Sequence, residues 1–297
     1  MKVLLIGIGN ISERYKKILK LRKIKFISIS SKLVNQFFLN NTDFAKSSIN
    51  KIIICNKTFD HLKILKNINK FRFKGEILIE KPLFGSKENY KPKNYKKIFV
   101  GYNLRLLPII IDLKKRLKNK KILSVICYTG QNLKLWRKNV NYKNSYSSKR
   151  HEGGGVLRDL SHELNYLIYL FGNLKLIKSI INQHSAKALK ISSDAERLII
   201  FKNKNTLINL SLNYIDNKVQ RFIIINTINK TFYADLFENK LYENKKLFKF
   251  KTGIEHTYIK QIQYFIEKKN HNKLITFNEG KKIDNLISLI ESKTKKL

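Results

Sequence analysis

Cysteine, proline, tryptophan and acid are all scarce in this 297-residue chain. It has two cysteines, three prolines, one tryptophan, and 21 Asp and Glu against 61 Lys and Arg. Cys55 and Cys127 both sit inside apolar, strand-like runs. They exclude a disulfide-built fold and read as reduced core residues. There is no Pro- or Ser-rich stretch to act as a long linker, and no internal repeat. No apolar run reaches the roughly 18–20 residues that span a bilayer. The opening MKVLLIGIGN is apolar but broken by glycine, and reads as a buried strand entering a turn, not a leader. Two packed domains in a cytoplasmic protein, with no membrane contact, are the expectation.

The shortage of acid leaves a net charge of +40. Such an excess raises nucleic acid or an anionic surface as a partner. A nucleic-acid binder, however, gathers its charge on one face or tail. Here residues 1–105 carry +18 and the remainder +22. No zinc-finger spacing or recognition helix accompanies the charge. Lys, Asn and Ile are abundant together, as an AT-biased genome encodes them. Weak non-specific polyanion binding at low salt is expected, with no specific nucleic-acid partner.

What is present is an orderly alternation. Short apolar runs at 2–8, 25–30, 51–55, 76–80 and 97–102 are separated by helical stretches. That pattern predicts βαβ units and a doubly wound parallel sheet over residues 1–105. From 106 to 297 the pattern changes to an α+β domain with a large, mostly antiparallel open sheet. A helix starts at Pro108, a long strand covers 122–130, and one helix covers 155–172, closed by Gly172. Strands are expected near 174–182, 196–203, 206–215, 221–228 and 230–237, arranged as antiparallel meanders. Helices at 255–269 and 278–296 end the chain.

Several motifs carry chemistry. GIGNIS (7–12) follows the first strand and opens a helix, fitting G-x-G-x-x-G/A with Ser12 in the third place. Gly7 permits the tight turn, and Gly9 lets a pyrophosphate approach the helix N-terminus. Ser30, Ser31 and Lys32 follow the second strand where an acidic residue would bind the NAD ribose. Hydroxyls and a cation suit the 2′-phosphate of NADP, so NADP is favoured over NAD. EKP (80–82) ends the fourth strand, placing Lys81 in the crevice beyond the sheet with the carboxylate of Glu80 beside it. HEGGGVLRDLSHELNY (151–166) brings three glycines to a helix bearing Asp159 and His162, three residues apart and so on one face. No histidine has companions at metal-ligand spacing, so no metal is expected.

Taken in order, GIGNIS, Thr58-x-x-His61, EKP, GYNLR (101–105) and GGGVLRDLSHELNY resemble the glucose–fructose oxidoreductase/inositol dehydrogenase family (Gfo/Idh/MocA) over nearly the whole chain. The resemblance implies a Rossmann domain followed by an α/β domain whose sheet often packs against a second subunit, hence a homodimer or homotetramer. It implies a nicotinamide cofactor contacted by Gly7, Gly9, Asn10 and Ile11, by Ser30, Ser31 and Lys32, and by Asn56, Thr58, His61, Glu80 and Lys81. It implies hydride transfer to or from a secondary alcohol or ketone of a sugar, cyclitol or nucleotide sugar, with Lys81, His162 and Asp159 as catalytic groups. Tyr102, Asn103, Arg105, Trp136, Arg137 and Tyr146 are the implied substrate contacts. The 145–172 stretch resembles a branch associated with surface-glycan pathways. Ser12 in place of glycine, an Asp159–His162 spacing one residue shorter than the usual Asp-x-x-x-His, and the charge-laden composition keep a non-catalytic or regulatory, nucleotide-binding relative open as the alternative. Asn165 stands where Asp is common, a position read as more structural than catalytic.

Overall fold

A computed structural model describes residues 2–40, 48–93, 97–136 and 141–297. The chain forms two compact units. The first comprises Met1–Tyr102 and Tyr258–Asn285, the second Asn103–Thr257 and Leu286–Leu297. The single boundary near residue 105 is therefore an incomplete description: residues 258–285, expected with the second domain, cluster with the first.

The first unit is built on β1 (Lys2–Ile6), β2 (Phe26–Ile29), β3 (Ile49–Ile54), β4 (Glu76–Ile79) and β5 (Lys97–Val100). All five pair in parallel in the order β2-β1-β3-β4-β5. Val3–Ile6, Ile52–Ile54 and Ile77–Ile79 are fully buried, as strands covered on both faces must be. Helices α1 (Asn10–Leu21), α2 (Val34–Asn40) and α3 (His61–Lys70) provide crossovers. The strand order reverses between β1 and β3, and such a reversal opens a crevice at the carboxyl ends of the strands. A short strand from the returning segment, Ile275–Thr276, adds antiparallel to β5. Its Ile275 is buried, which gives the return its physical reason.

The second unit starts with α4 (Pro108–Arg116), β6 (Ile122–Gly130) and α5 (Leu133–Trp136). The expected helix over 155–172 is two: α6 (Val156–Asp159) and α7 (His162–Phe171). Leu160, at φ −100° and ψ 29°, interrupts them. Then follow β7 (Lys175–Ile181), α8 (Gln183–Leu189), β8 (Glu196–Asn203), β9 (Thr206–Asn213), β10 (Gln220–Thr227), β11 (Thr231–Asp235), β12 (Lys240–Glu243) and β13 (Lys246–Lys249). The last elements are α9 (Ile254–Ile266), β14 (Ile275–Thr276, the strand that joins β5), α10 (Phe277–Ser292) and β15 (Thr294–Lys296). The final residues of the expected helix 278–296 thus form a strand, which pairs parallel with β7.

The second sheet has the order β13-β12-β11-β10-β6-β9-β8-β7-β15. It is mostly antiparallel, but not a simple meander: β6 and β9 are parallel neighbours. Val125, Cys127, Ile208, Leu210, Leu212, Ile223 and Ile225 are buried on one face. The other face leaves Ile126, Leu198 and Leu207 exposed. Among the described residues no helix is long and apolar enough to cross a membrane.

Candidate active site

In the first unit the expected nucleotide-binding residues gather at the carboxyl ends of β1 and β3. Gly7 lies at φ +135°, and a Cβ there would come within 2.9 Å of the Cys55 backbone. Only glycine fits both demands. Its N–H donates to the Ile29 carbonyl at 2.9 Å, and its carbonyl accepts from the Ser12 hydroxyl at 2.7 Å. Ser12 therefore ties the loop to the helix where a third glycine is usual. Gly9 is the N-cap of the 12-residue α1 with no side chain capping it, and a Cβ there would meet nothing within 4 Å. A helix start with free amide donors and open space in front of it fits a pyrophosphate. Asn10 and Ile11 form its first turn.

Ser30 caps the turn Ser31–Leu33, its hydroxyl accepting from the Lys32 N–H at 3.4 Å; Lys32 is exposed. Asn56 follows β3, its Oδ1 buried with no hydrogen-bond partner among the described residues. Thr58 opens a short 3₁₀ turn leading into α3. His61 is fully buried, with Nδ1 3.1 Å from the Leu83 carbonyl and Nε2 3.3 Å from that of Asn56. The ring joins the end of β3 to the turn after EKP. Burial pushes its pKa down to about 4, against the pull of these carbonyls.

That depression makes a pH prediction. A histidine kept neutral in the folded state adds stability above its unfolded pKa of about 6.5 and loses it as pH falls towards 4. The difference is about 3 kcal/mol. His61→Gln should flatten the acid side of the stability curve between pH 6.5 and 4, as urea melts at several pH values would reveal. An unchanged slope would mean His61 titrates normally.

Glu80 and Lys81 follow β4, with a cis Lys81–Pro82 bond. Lys81 is half-buried. The Glu80 carboxylate turns inward: the Tyr15 hydroxyl donates to Oε1, and the Lys81 N–H lies 3.4 Å from Oε2. Burial raises its pKa, opposed by Tyr15 and by the charge of Lys81.

The second unit gathers the other expected residues. Gly153 is left-handed at φ +76°. A Cβ on Gly154 would strike the Tyr146 carbonyl oxygen at 1.9 Å, and one on Gly155, at φ +126°, would strike Asp194 Oδ1 at 2.0 Å. The three glycines thus let the chain fold back on Tyr146 and Asp194. Asp159 and His162 do not share one continuous helix, because α6 ends between them. Asp159 Oδ2 instead accepts from the buried Tyr214 hydroxyl at 2.6 Å, and the Trp136 ring lies 6.3 Å from the Tyr214 ring. His162 is the first residue of α7 and is 9% exposed. Glu163 beside it is fully buried; its Oε1 accepts from Arg221 Nε at 2.9 Å and Thr129 Oγ1 at 2.8 Å. This ion pair fastens the first turn of α7 to β6 and β10. Asn165 is buried on the same helix, with no hydrogen-bond partner for its Oδ1 among the described residues.

The remaining expected substrate residues are more dispersed. Tyr102 closes the first stretch of the first unit and is buried. Asn103 is also buried and donates to Thr257 Oγ1 at 2.6 Å. Arg105 lies over the Tyr169 ring at 4.7 Å. Trp136 is 39% exposed, and Tyr146 is half-buried. Arg137 lies outside the described residues. No group of three or more His, Cys, Asp and Glu that could hold a metal occurs among the described residues.

Tyr15 bonds Glu80 with Gln261 behind it, Tyr214 bonds Asp159, and the Glu163–Arg221 pair follows His162; sequence reasoning missed these five residues. Tyr15 follows Ser12 by three residues on the buried face of α1, a signal that helix periodicity contains. The others come from distant segments, and nothing local marks them.

Comparison with known proteins bears on the family and the fold. A family profile described as the C-terminal α/β domain of an oxidoreductase family, Gfo/Idh/MocA, matches residues 114–296. No curated protein sequence matches. Among solved structures, levoglucosan dehydrogenase in complex with NADH and levoglucosan aligns with a TM-score of 0.77 at 15% identity, covering 99% of this chain and 96% of that one. An oxidoreductase from Thermotoga maritima gives 0.76 at 14%, with the same coverage. The WlbA dehydrogenase from Bordetella pertussis, in complex with NADH and UDP-GlcNAcA, gives 0.72 at 12%, again covering 99% and 96%.

Proposed function

This chain belongs to the Gfo/Idh/MocA oxidoreductase family, and from that premise we propose that it transfers a hydride between a nicotinamide nucleotide and a secondary alcohol or ketone of a sugar, cyclitol or nucleotide sugar. The observation that carries the reading is the Gly7–Gly9 loop. One glycine is demanded by its φ and by Cys55, and the other leaves open space at the start of a 12-residue helix. When bound there, the nicotinamide supplies or accepts the hydride. The chain's own residues bind, orient and handle the proton. The α1 N-terminus holds the pyrophosphate. The Lys81 ammonium donates to the reacting oxygen and stabilises negative charge on it. His162 is the candidate for exchanging a proton with the substrate, as an imidazole can. Asp159, fixed by Tyr214, offers a carboxylate to a neighbouring hydroxyl. The dehydrogenase complexes with levoglucosan and with UDP-GlcNAcA support a sugar or nucleotide-sugar substrate. A place in surface-glycan synthesis rests on the resemblance of residues 145–172 alone.

Ser30, Ser31 and Lys32 support NADP over NAD. Calorimetry with NADPH and NADH tests both halves of the reading. Micromolar binding of at least one is expected. Lys32→Glu should weaken NADPH about tenfold or more and leave NADH nearly unchanged. A folded chain that binds neither nucleotide would overturn the oxidoreductase reading and favour a different ligand for the loop.

The open face of the second sheet supports a homo-oligomer. Tyr128 stacks on Phe222 at 5.1 Å, Phe222 meets Tyr233 at 5.7 Å, and Tyr233 meets Tyr242 at 6.0 Å. With the exposed Ile126, Leu198 and Leu207, these rings make an apolar face broader than scattered surface residues would. Ile126→Asp should convert a dimer or tetramer to smaller species in sedimentation. A wild-type monomer at micromolar concentration would exclude this interface. Reduced, buried Cys55 and Cys127 fit a cytoplasmic setting.

A further inference from the structure

Tyr15 and Gln261 have no role in the function above, yet Tyr15 bonds Glu80 directly and Gln261 reaches it through Tyr15. Tyr15 is fully buried on α1. Its hydroxyl oxygen accepts from Gln261 Nε2, on α9, at 2.8 Å. Its single proton is therefore left for Glu80 Oε1. The three groups form a chain whose donors all point one way, an arrangement in which each hydrogen bond strengthens the next. Gly101 closes another side of the carboxylate, for a Cβ there would lie 2.9 Å from Oε1. The titratable groups that face Glu80 are Arg14 and Tyr15 from α1, the Cys55 thiol at the end of β3, and Lys81. Tyr258 of α9 lies beneath the Arg14 guanidinium, 4.6 Å from its ring centre. Burial pushes the Cys55 thiol up to about 12, so it brings no charge. A buried carboxylate remains charged only when hydrogen bonds and a cation support it.

We propose that Tyr15 and Gln261 are positioning residues for Lys81, acting through Glu80: the amide and hydroxyl hold Glu80 as a carboxylate, and that charge keeps the Lys81 side chain protonated. The proposal deepens the reading of Lys81 as a catalytic group and rests on it for its effect on turnover. Removing the Tyr15 hydroxyl makes Glu80 easier to protonate and withdraws support from the Lys81 ammonium. Glu80 then titrates at higher pH and Lys81 at lower pH. The pH profile of kcat/KM narrows from both sides, which a merely structural tyrosine would not cause.

Competitive acetylation tests the proposal without needing turnover, because only a neutral amine reacts. The reactivity of Lys81 is read by mass spectrometry against the exposed Lys66 in wild type, Tyr15→Phe, Gln261→Leu and Glu80→Gln. Glu80→Gln should raise the relative labelling of Lys81 at pH 8 by about tenfold, one pKa unit. Tyr15→Phe should raise it by about three- to tenfold, and Gln261→Leu in the same direction. Circular dichroism melts establish that each variant is folded; Gln261→Leu serves if Tyr15→Phe is not. Labelling that rises in Glu80→Gln but stays at the wild-type level in folded Tyr15→Phe and Gln261→Leu would overturn the proposal. A chain that binds no nicotinamide nucleotide would end the oxidoreductase reading, and the labelling result would still stand.

Discussion

His162→Ala should lower kcat by about 10²–10⁴-fold, the range a positioned acid–base group supplies. Nucleotide affinity should stay within about twofold of wild type. The two readouts separate because their residues lie in different units: His162 in the second, the Gly7–Gly9 loop in the first. The variant should also keep its local structure. The first turn of α7 is fastened by Glu163, whose carboxylate holds Arg221 and Thr129, and alanine is a good helix former. A kcat within threefold of wild type, on a substrate that wild type turns over, would remove His162 from the chemistry. Loss of nucleotide binding together with turnover would assign the residue a structural role. If no sugar is turned over while nucleotide binds normally, the non-catalytic relative becomes the better description. The Asp159–His162 spacing that motivates that alternative has a physical correlate in the break between α6 and α7.

Much of the first unit was legible in the sequence. The five parallel strands carry apolar runs, buried most completely in β1, β3 and β4, and such runs stand out. Gly7 was read as a tight turn and has the positive φ that such a turn needs. What stayed hidden depends on distance along the chain. The return of 258–285 to the first unit leaves no local mark, since an amphipathic helix does not show which surface it covers. The break after Asp159 was hidden because VLRDLSHELNYL keeps a helical apolar pattern through Leu160 and Ser161. The final residues 294–296 were read as helix because their strand character comes from pairing with β7. Glu80 was legible as a carboxylate next to Lys81, but its inward turn depends on Tyr15, 65 residues away. Local propensity and motif give positions along the chain, whereas hydrogen-bond partners are properties of the fold.

The geometry of the glycines in the 153–155 turn predicts a large effect on stability. Gly155→Ala should cost about 3–5 kcal/mol, from two additive causes. At φ +126° and ψ 155° the backbone is in a region almost closed to residues with a Cβ, a strain of about 1–3 kcal/mol. The added methyl would also lie 2.0 Å from Asp194 Oδ1. Asp194 has little freedom to retreat, since Arg197 Nε holds its Oδ2 at 2.8 Å and the Asp194 carbonyl accepts from the Val156 N–H at 2.9 Å. Moving the carboxylate would break an ion pair whose arginine is itself buried. Such a loss lowers the melting temperature by on the order of 10 °C. Gly9→Ala is the contrasting variant. Gly9 lies at φ −89°, and a Cβ there meets nothing within 4 Å. Its melting temperature should therefore stay within about 2 °C of wild type, while its nucleotide affinity falls because the methyl fills the space in front of α1. Melting and calorimetry on the pair distinguish the two kinds of glycine. If Gly155→Ala melts like wild type, the turn is more pliable than its contacts with Asp194 indicate. If Gly9→Ala binds nucleotide unchanged, the pyrophosphate does not approach the chain at that amide.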